Sequence, residues 1–268
     1  MTTLISITTS SKDQLVAASL LSQYLEELGC KHAYIGGFAW ALLGSVRPTE
    51  IRPFFYQQVI NLSLNYVLVE AKNFDIKEIR DKLSKHNKQF ALAGIKLFFV
   101  KVTLFLPPDI SQPDPAASKE LIRDLQDDAL VRASRDNVLI ETLKAGTLGL
   151  PAIAGPIYPI EQEFGKDLPV LHPAILILTK MKRWSHNYES DRPKTVLKNK
   201  SDQADLDFII YWLEENKMTI EFELYQGKTK EELLNFVRRY RNRFHENAKL
   251  MEAMENVVKP DDWKLLDE

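Results

Sequence analysis

The sequence predicts an α+β protein whose N-terminal half mixes strands and helices and whose C-terminal half is helical. Three observations carry this. Runs at 65–71, 96–106 and 138–143 are rich in β-branched, aromatic and aliphatic residues at strand spacing. Segments 12–28 and 76–83 repeat apolar residues at helical spacing instead. Beyond a loop carrying Pro151, Pro156 and Pro159, helical periodicity is all that remains, which divides the chain into an α+β domain at 1–150 and a mainly helical domain at 151–268.

Each element has its own signal. In 12–28, Leu15, Leu20, Leu21, Tyr24, Leu25 and Leu28 share one stripe, Gln14, Gln23, Glu26 and Glu27 lie off it, and Gly29 ends the helix. A short strand at 32–35 runs into Gly36-Gly37, and 38–43 reads as a short helix stopped by Gly44. The strand at 65–71 is followed by the 76–83 helix, with Asp75 in position to cap it. The strongest strand, 96–106, alternates around Phe98, Val100, Val102 and Leu104 and stops at Pro107-Pro108, which have no amide to donate. After a Pro- and Asp-rich loop and the 138–143 strand come candidate helices at 172–184, 202–215, 230–244 and 246–257, with 187–200 as a polar connector.

Composition narrows the function classes. With 45% hydrophobic and 27% charged residues over 268 positions, the chain has a globular core and is neither disordered nor a coiled coil. A net charge of -2 and a pI near 6.3 remove any global attraction to nucleic acid or anionic lipid, so nucleic acid is not an expected partner. The single cysteine, Cys30, excludes an intrachain disulfide and reads as a buried, inert thiol. No segment has the roughly 20 apolar residues of a membrane span and the N-terminus lacks a signal-peptide pattern, so the expectation is a soluble protein of the cytoplasm or nucleus, without membrane contact.

One ordered series of motifs carries more. Tyr34-Ile35-Gly36-Gly37-Phe38-Ala39, then Leu43-Gly44-Ser45-Val46-Arg47-Pro48-Thr49-Glu50, then a strand at 66–69, resembles the N-terminal signature of nucleotidyltransferases with the DNA-polymerase-β-like fold. The lysine-bearing stretch 176–184 and the later Lys200-Ser201-Asp202-Gln203-Ala204-Asp205 resemble the helical part of the same superfamily. The resemblance implies a mixed sheet with flanking helices. It also implies a nucleotide site at Gly36, Gly37, Ser45, Arg47 and Lys180. Glycines at a strand-to-helix turn let backbone amides approach a triphosphate where a Cβ would block them.

Catalysis on that fold uses an Asp-x-Asp pair on one strand and a third carboxylate on a neighbour, forming an oxygen cage for Mg²⁺. Alignment places Leu64, Asn65 and Tyr66 at the Asp-x-Asp and Thr103 at the third position, so the anionic ligands are replaced. Residues 51–63 read as an insertion just before that strand. The leading expectation is therefore a pseudoenzyme: at most a nucleotide- or partner-binding protein, with no catalytic residue, no metal and no cofactor. One alternative is an active nucleotidyltransferase using an NTP with Mg²⁺ and relocating its ligands to Glu50, Glu70 or Asp75, although Glu70 sits about 13 Å along the strand from Tyr66. Another is a non-enzymatic interaction module whose basic connector meets an acidic protein.

Other clusters carry structural expectations. Residues 180–200 hold seven Lys/Arg, Lys180, Lys182, Arg183, Arg192, Lys194, Lys198 and Lys200, against Glu189 and Asp191, a surplus suited to phosphate or to a solvated connector. Asp202 and Asp205 share a helix face; with its helix starting there, Asp202 is expected to be a cap rather than a metal ligand. The five histidines show no metal-ligand spacing, and Arg238, Arg239, Arg241 and Arg243 read as a solvated helix face.

Overall fold

The computed structural model of the protein describes residues 5–8, 10–45, 64–71, 75–100, 127–153, 156–162 and 166–267. Arg47, Glu50, Thr103 and the insertion at 51–63 lie outside the described residues. The chain forms two compact units, Met1–His32 with Gln57–Lys144 and Glu161–Leu168, and Ala33–Tyr56 with Ala145–Ile160 and Pro169–Glu268. Seven strands make one mixed sheet, β1 (Lys31–Tyr34), β2 (Leu64–Glu70), β3 (Phe90–Ala93), β4 (Lys96–Phe99), β5 (Val138–Lys144), β6 (Ile157–Ile160) and β7 (Leu168–Leu171), in the order β3-β4-β5-β2-β1-β7-β6. This is the α+β mixed sheet with flanking helices that the sequence predicts.

In the first unit, α1 (Ser11–Glu27) starts where the Ser10 side chain accepts from the Asp13 amide and ends before Gly29 at φ +69°. Its buried face is built on Ala17, Ala18, Leu21 and Leu25, rotated from the expected leucine stripe, so that Leu15, Leu20 and Leu28 are only half-buried. The two alanines give the inner face its small residues and leave the larger leucines on the flanks. α3 (Ile76–His86) opens with a complete capping box: the Glu78 amide donates to Asp75 Oδ1, and the Asp75 amide donates to Glu78 Oε2.

β3 and β4 form a hairpin through Gly94-Ile95, with Gly94 at φ +60° as a primed turn requires. On the terminal strand, the Leu92 amide donates to Asp127 of α4 (Asp127–Ala133). Ala91, Phe98, Val100, Leu130, Val131 and Leu139 make this unit's buried cluster. The strand hydrogen-bonded in parallel to β2 is β5, with Leu64 opposite Ile140 and Val67 opposite Thr142. The described part of the expected 96–106 strand pairs with β3 and β5, and the position aligned at Thr103 lies outside the described residues.

In the second unit, β1 enters α2 (Gly36–Leu42), and Tyr34 pairs in parallel with Val170 of β7. β6 and β7 follow residue 151, where only helices were expected. β6 is a terminal strand, the position that tolerates Pro159. α5 (Pro173–Asn187) begins with Pro173 at its first turn, and His172 Nδ1 accepts from the Ala174 amide. α6 (Pro193–Glu215) absorbs most of the expected connector, because 193–201 contains no breaker after Pro193 and propagates from the packed half of the helix. α7 (Lys230–Phe244) opens with a Thr229–Glu232 capping box, α8 (Ala248–Val257) with Asn247, and α9 (Pro260–Lys264) closes the described chain.

The core of this helical layer is Ala174–Leu178 and Met181 of α5, Leu206, Ile209, Ile210 and Leu213 of α6, Val237 and Tyr240 of α7, and Met254 and Val257 of α8. Three of the four arginines of α7 are tied down rather than simply solvated, and Arg243 is exposed. Arg238 donates to the Leu265 carbonyl, Arg239 to Ser185, and Arg241 pairs with Asp267 while lying over the Trp263 ring. Among the described residues, no helix is long and apolar enough to cross a membrane.

Candidate functional site

Within the second unit, the expected nucleotide turn lies where β1 ends. Ile35 is extended, Gly36 has φ +70° and is the first residue of α2, and no side chain caps that start. A side chain other than glycine would be strained at Gly36. Gly37, Phe38, Ala39 and Trp40 are buried, so the short helix is held by its inner face. At its far end, the Ser45 amide donates to the Trp40 carbonyl and the Ser45 hydroxyl donates to Asp205 Oδ1 at 3.2 Å.

Asp205 belongs to a buried ionic network built on two helices. α5 carries Lys180 and Arg183 and α6 carries Asp202 and Asp205, each pair spaced i, i+3 and so on one face. Lys180 Nζ donates to Asp205 Oδ2 at 2.6 Å and to Asp202 Oδ1 at 3.2 Å. Arg183 grips Asp202 with two donors, Nε to Oδ2 at 2.6 Å and Nη2 to Oδ1. Side-chain exposure is 3% for Lys180 and 2% for Asp202, but 34% for Arg183. Lys180 Nζ also lies 5.3 Å from the centre of the Trp40 ring, whose Nε1 is buried without a hydrogen-bond partner.

The electrostatics follow from this arrangement. Burial pushes the Asp202 carboxyl up, but the Arg183 hydrogen bond, the Lys180 and Arg183 charges and the Lys180 hydrogen bond outweigh it and hold the group below its ordinary value. Asp202 is therefore no helix cap, as its sequence position suggested. The helix begins at Pro193, and Asp202 is an interior ion-pair partner. Asp207 points elsewhere and accepts from the Tyr240 hydroxyl, and burial raises its carboxyl above the usual range despite the hydrogen bonds from Tyr240 and Gln203.

The structure thus brings together Ser45 and Lys180 of the expected site, with Gly36 and Gly37 at the opposite end of α2 from Ser45. It adds Arg183, Asp205 and Trp40, which the sequence reading left out of the site. The signal for the first two was available in the matching i, i+3 spacings of the basic and acidic pairs; nothing in the sequence singles out Trp40. Lys180 is enclosed between two carboxylates, and Arg183 is the cation of the network with solvent access.

Among the described residues no three His, Cys, Asp or Glu side chains are placed to share a metal ion, and Asp202 and Asp205 are bonded to cations. In the first unit, Asp75 Oδ1 is occupied by the Glu78 amide, and Glu70 is the last residue of β2. Glu141 of β5 is a carboxylate the sequence reading missed. It lies between Ile140 and Thr142, the partners of Leu64 and Val67, where the pairing register with β2 shifts. Finding it required knowing that β5 neighbours β2.

No protein-family model and no curated protein matches the sequence. A solved structure does: the crystal structure of an antigenic nucleotidyltransferase-like protein from Paracoccidioides brasiliensis matches with a TM-score of 0.54 and 14% sequence identity, over 93% of this chain and 95% of that one. The likeness extends to the fold, and the chain has a nucleotidyltransferase-like fold.

Proposed function

We propose that this protein uses its nucleotidyltransferase-like fold to bind a nucleotide without a catalytic metal. The observation that carries the reading is the sequence of β2, where Leu64, Asn65 and Tyr66 stand in place of the Asp-x-Asp pair. The backbone amides at Gly36-Gly37 would meet phosphate oxygens, with Arg183 as the accessible cation and Lys180 holding the aspartates that position it.

Thermal unfolding with each of ATP, GTP, CTP and UTP, in Mg²⁺ and in EDTA, tests this. A nucleotide present at about 100 times its Kd stabilises the folded state by about 2.7 kcal/mol. The expected rise in Tm is the same with and without metal, is lost in Gly36→Val, and is accompanied by no pyrophosphate release. Absence of a shift with all four nucleotides would overturn the proposal.

A second reading, metal-dependent nucleotidyl transfer with relocated ligands, draws support from Glu141, whose strand register places it beside β2. Its signature is Mg²⁺-dependent pyrophosphate release that Glu141→Gln abolishes while the Tm of the unliganded protein stays unchanged.

A further inference from the structure

The basic surplus of 180–200 divides in two. Lys180 and Arg183 are paired with Asp202 and Asp205, Arg183 keeping part of its surface in solvent, and Lys182 Nζ donates to the Leu148 and Gly149 carbonyls. The other cations, Arg192, Lys194, Lys198 and Lys200, are exposed on or just before the opening turns of α6. Residues 193–201 contain no acidic residue, and the buried positions of α6 begin only at Asp202. At 100° per residue, Lys194, Leu197 and Lys198 form one ridge, with Lys200 and Ala204 on its flank and the half-buried Thr195, Val196 and Asn199 on the opposite side. Leu197, in the middle of the ridge, is 62% exposed.

This face is poorly matched to its own surroundings. Arg192, Lys194 and Lys200 make no ion pair among the described residues, and the first turn has no acidic residue although cations are disfavoured at that end of a helix. A three-turn surface with these cations, no acid and an exposed leucine is complementary to a ligand that supplies carboxylates around an apolar group. A nucleic acid would neutralise the lysines but set Leu197 against phosphate and sugar, leaving its apolar surface without a partner.

We infer that the opening face of α6, Lys194, Leu197, Lys198 and Lys200, docks an acidic segment of a partner protein that carries an apolar anchor for Leu197. The inference goes beyond the nucleotide reading and uses none of its residues. Fluorescence anisotropy with the full chain tests it, using three labelled probes. The first is a peptide of glutamates and aspartates with a central Leu-Phe pair, the second is the same peptide with that pair replaced by serines, and the third is a single-stranded RNA of equal charge.

The Leu-Phe peptide is expected to bind most tightly, in a salt-dependent manner. Leu197→Ser should weaken it about tenfold, toward the affinity of the serine peptide. Lys194→Glu with Lys200→Glu should abolish binding and, by placing an acid in the first turn, raise Tm rather than lower it. Nucleotide-induced stabilisation should persist in both variants, which separates this docking surface from the nucleotide site. RNA binding more tightly than the peptide, indifference to Leu197→Ser, or no peptide binding at all would each overturn the inference.

Discussion

Lys180 sits among two carboxylates and an indole ring with almost no solvent, so its charge is balanced entirely by protein groups. Breaking a buried pair by removing one partner leaves the other charge uncompensated, a loss of about 3–5 kcal/mol. Lys180→Met should therefore lower stability by that amount in urea unfolding, and Lys180→Met with Asp205→Leu should recover a substantial part. A double variant no better than the single one would mean that Asp205 is held chiefly by Ser45. The residue types of this network were legible in the sequence as a basic helix and an acid pair. Their roles were not, because a lysine poised for phosphate and one locked between aspartates have the same local sequence, and burial alone distinguishes them.

At the scale of elements, local chemistry was readable wherever it is self-contained. Asp75 caps α3 as its position predicts, and the glycine at 29 ends α1 with a positive φ. β3 and β4 join through Gly94-Ile95, with the glycine at the first turn position that a two-residue hairpin favours. A second glycine matters for packing. Gly149 has φ +68°, and a Cβ there would lie 2.7 Å from Lys182 Nζ. The lysine end can swing aside but the backbone strain stays, so Gly149→Ala should cost about 1–2 kcal/mol, read as a lower Tm. Tyr225 should share this defect, because its hydroxyl donates to the Gly149 carbonyl. The N-terminal half of α6 was read as a connector because its polar sequence shows no buried stripe; it is helical as the continuation of a packed helix, a cooperative effect invisible in a short window.

For the whole molecule, two aspartates of α6 make stability depend on pH with opposite signs. Asp202 is depressed, so its contribution is present above the unfolded carboxyl value near ~3.9 and is lost as pH falls through its folded value. Asp207 is raised by burial, so its favourable contribution exists only below the unfolded value and is lost as pH rises through the folded one. Asp207→Asn keeps an acceptor for Tyr240 and removes that loss. Urea midpoints for the variant should exceed wild type at neutral pH, with the gap closing as pH falls toward ~4. A gap independent of pH would show that folding does not shift the Asp207 carboxyl.

The sequence by itself determined the α+β class, the order of most elements, the glycine turn after β1 and the nucleotidyltransferase-like fold, since periodicity, turn residues and motif order are properties of neighbours along the chain. Tertiary structure alone decided that β5 lies beside β2 and brings Glu141 there, that two short proline-bearing strands join the sheet, and that Lys180, Arg183, Asp202 and Asp205 neutralise one another. Strand pairing and ion pairing join residues far apart in sequence, and which partner each group meets depends on packing that no local pattern encodes.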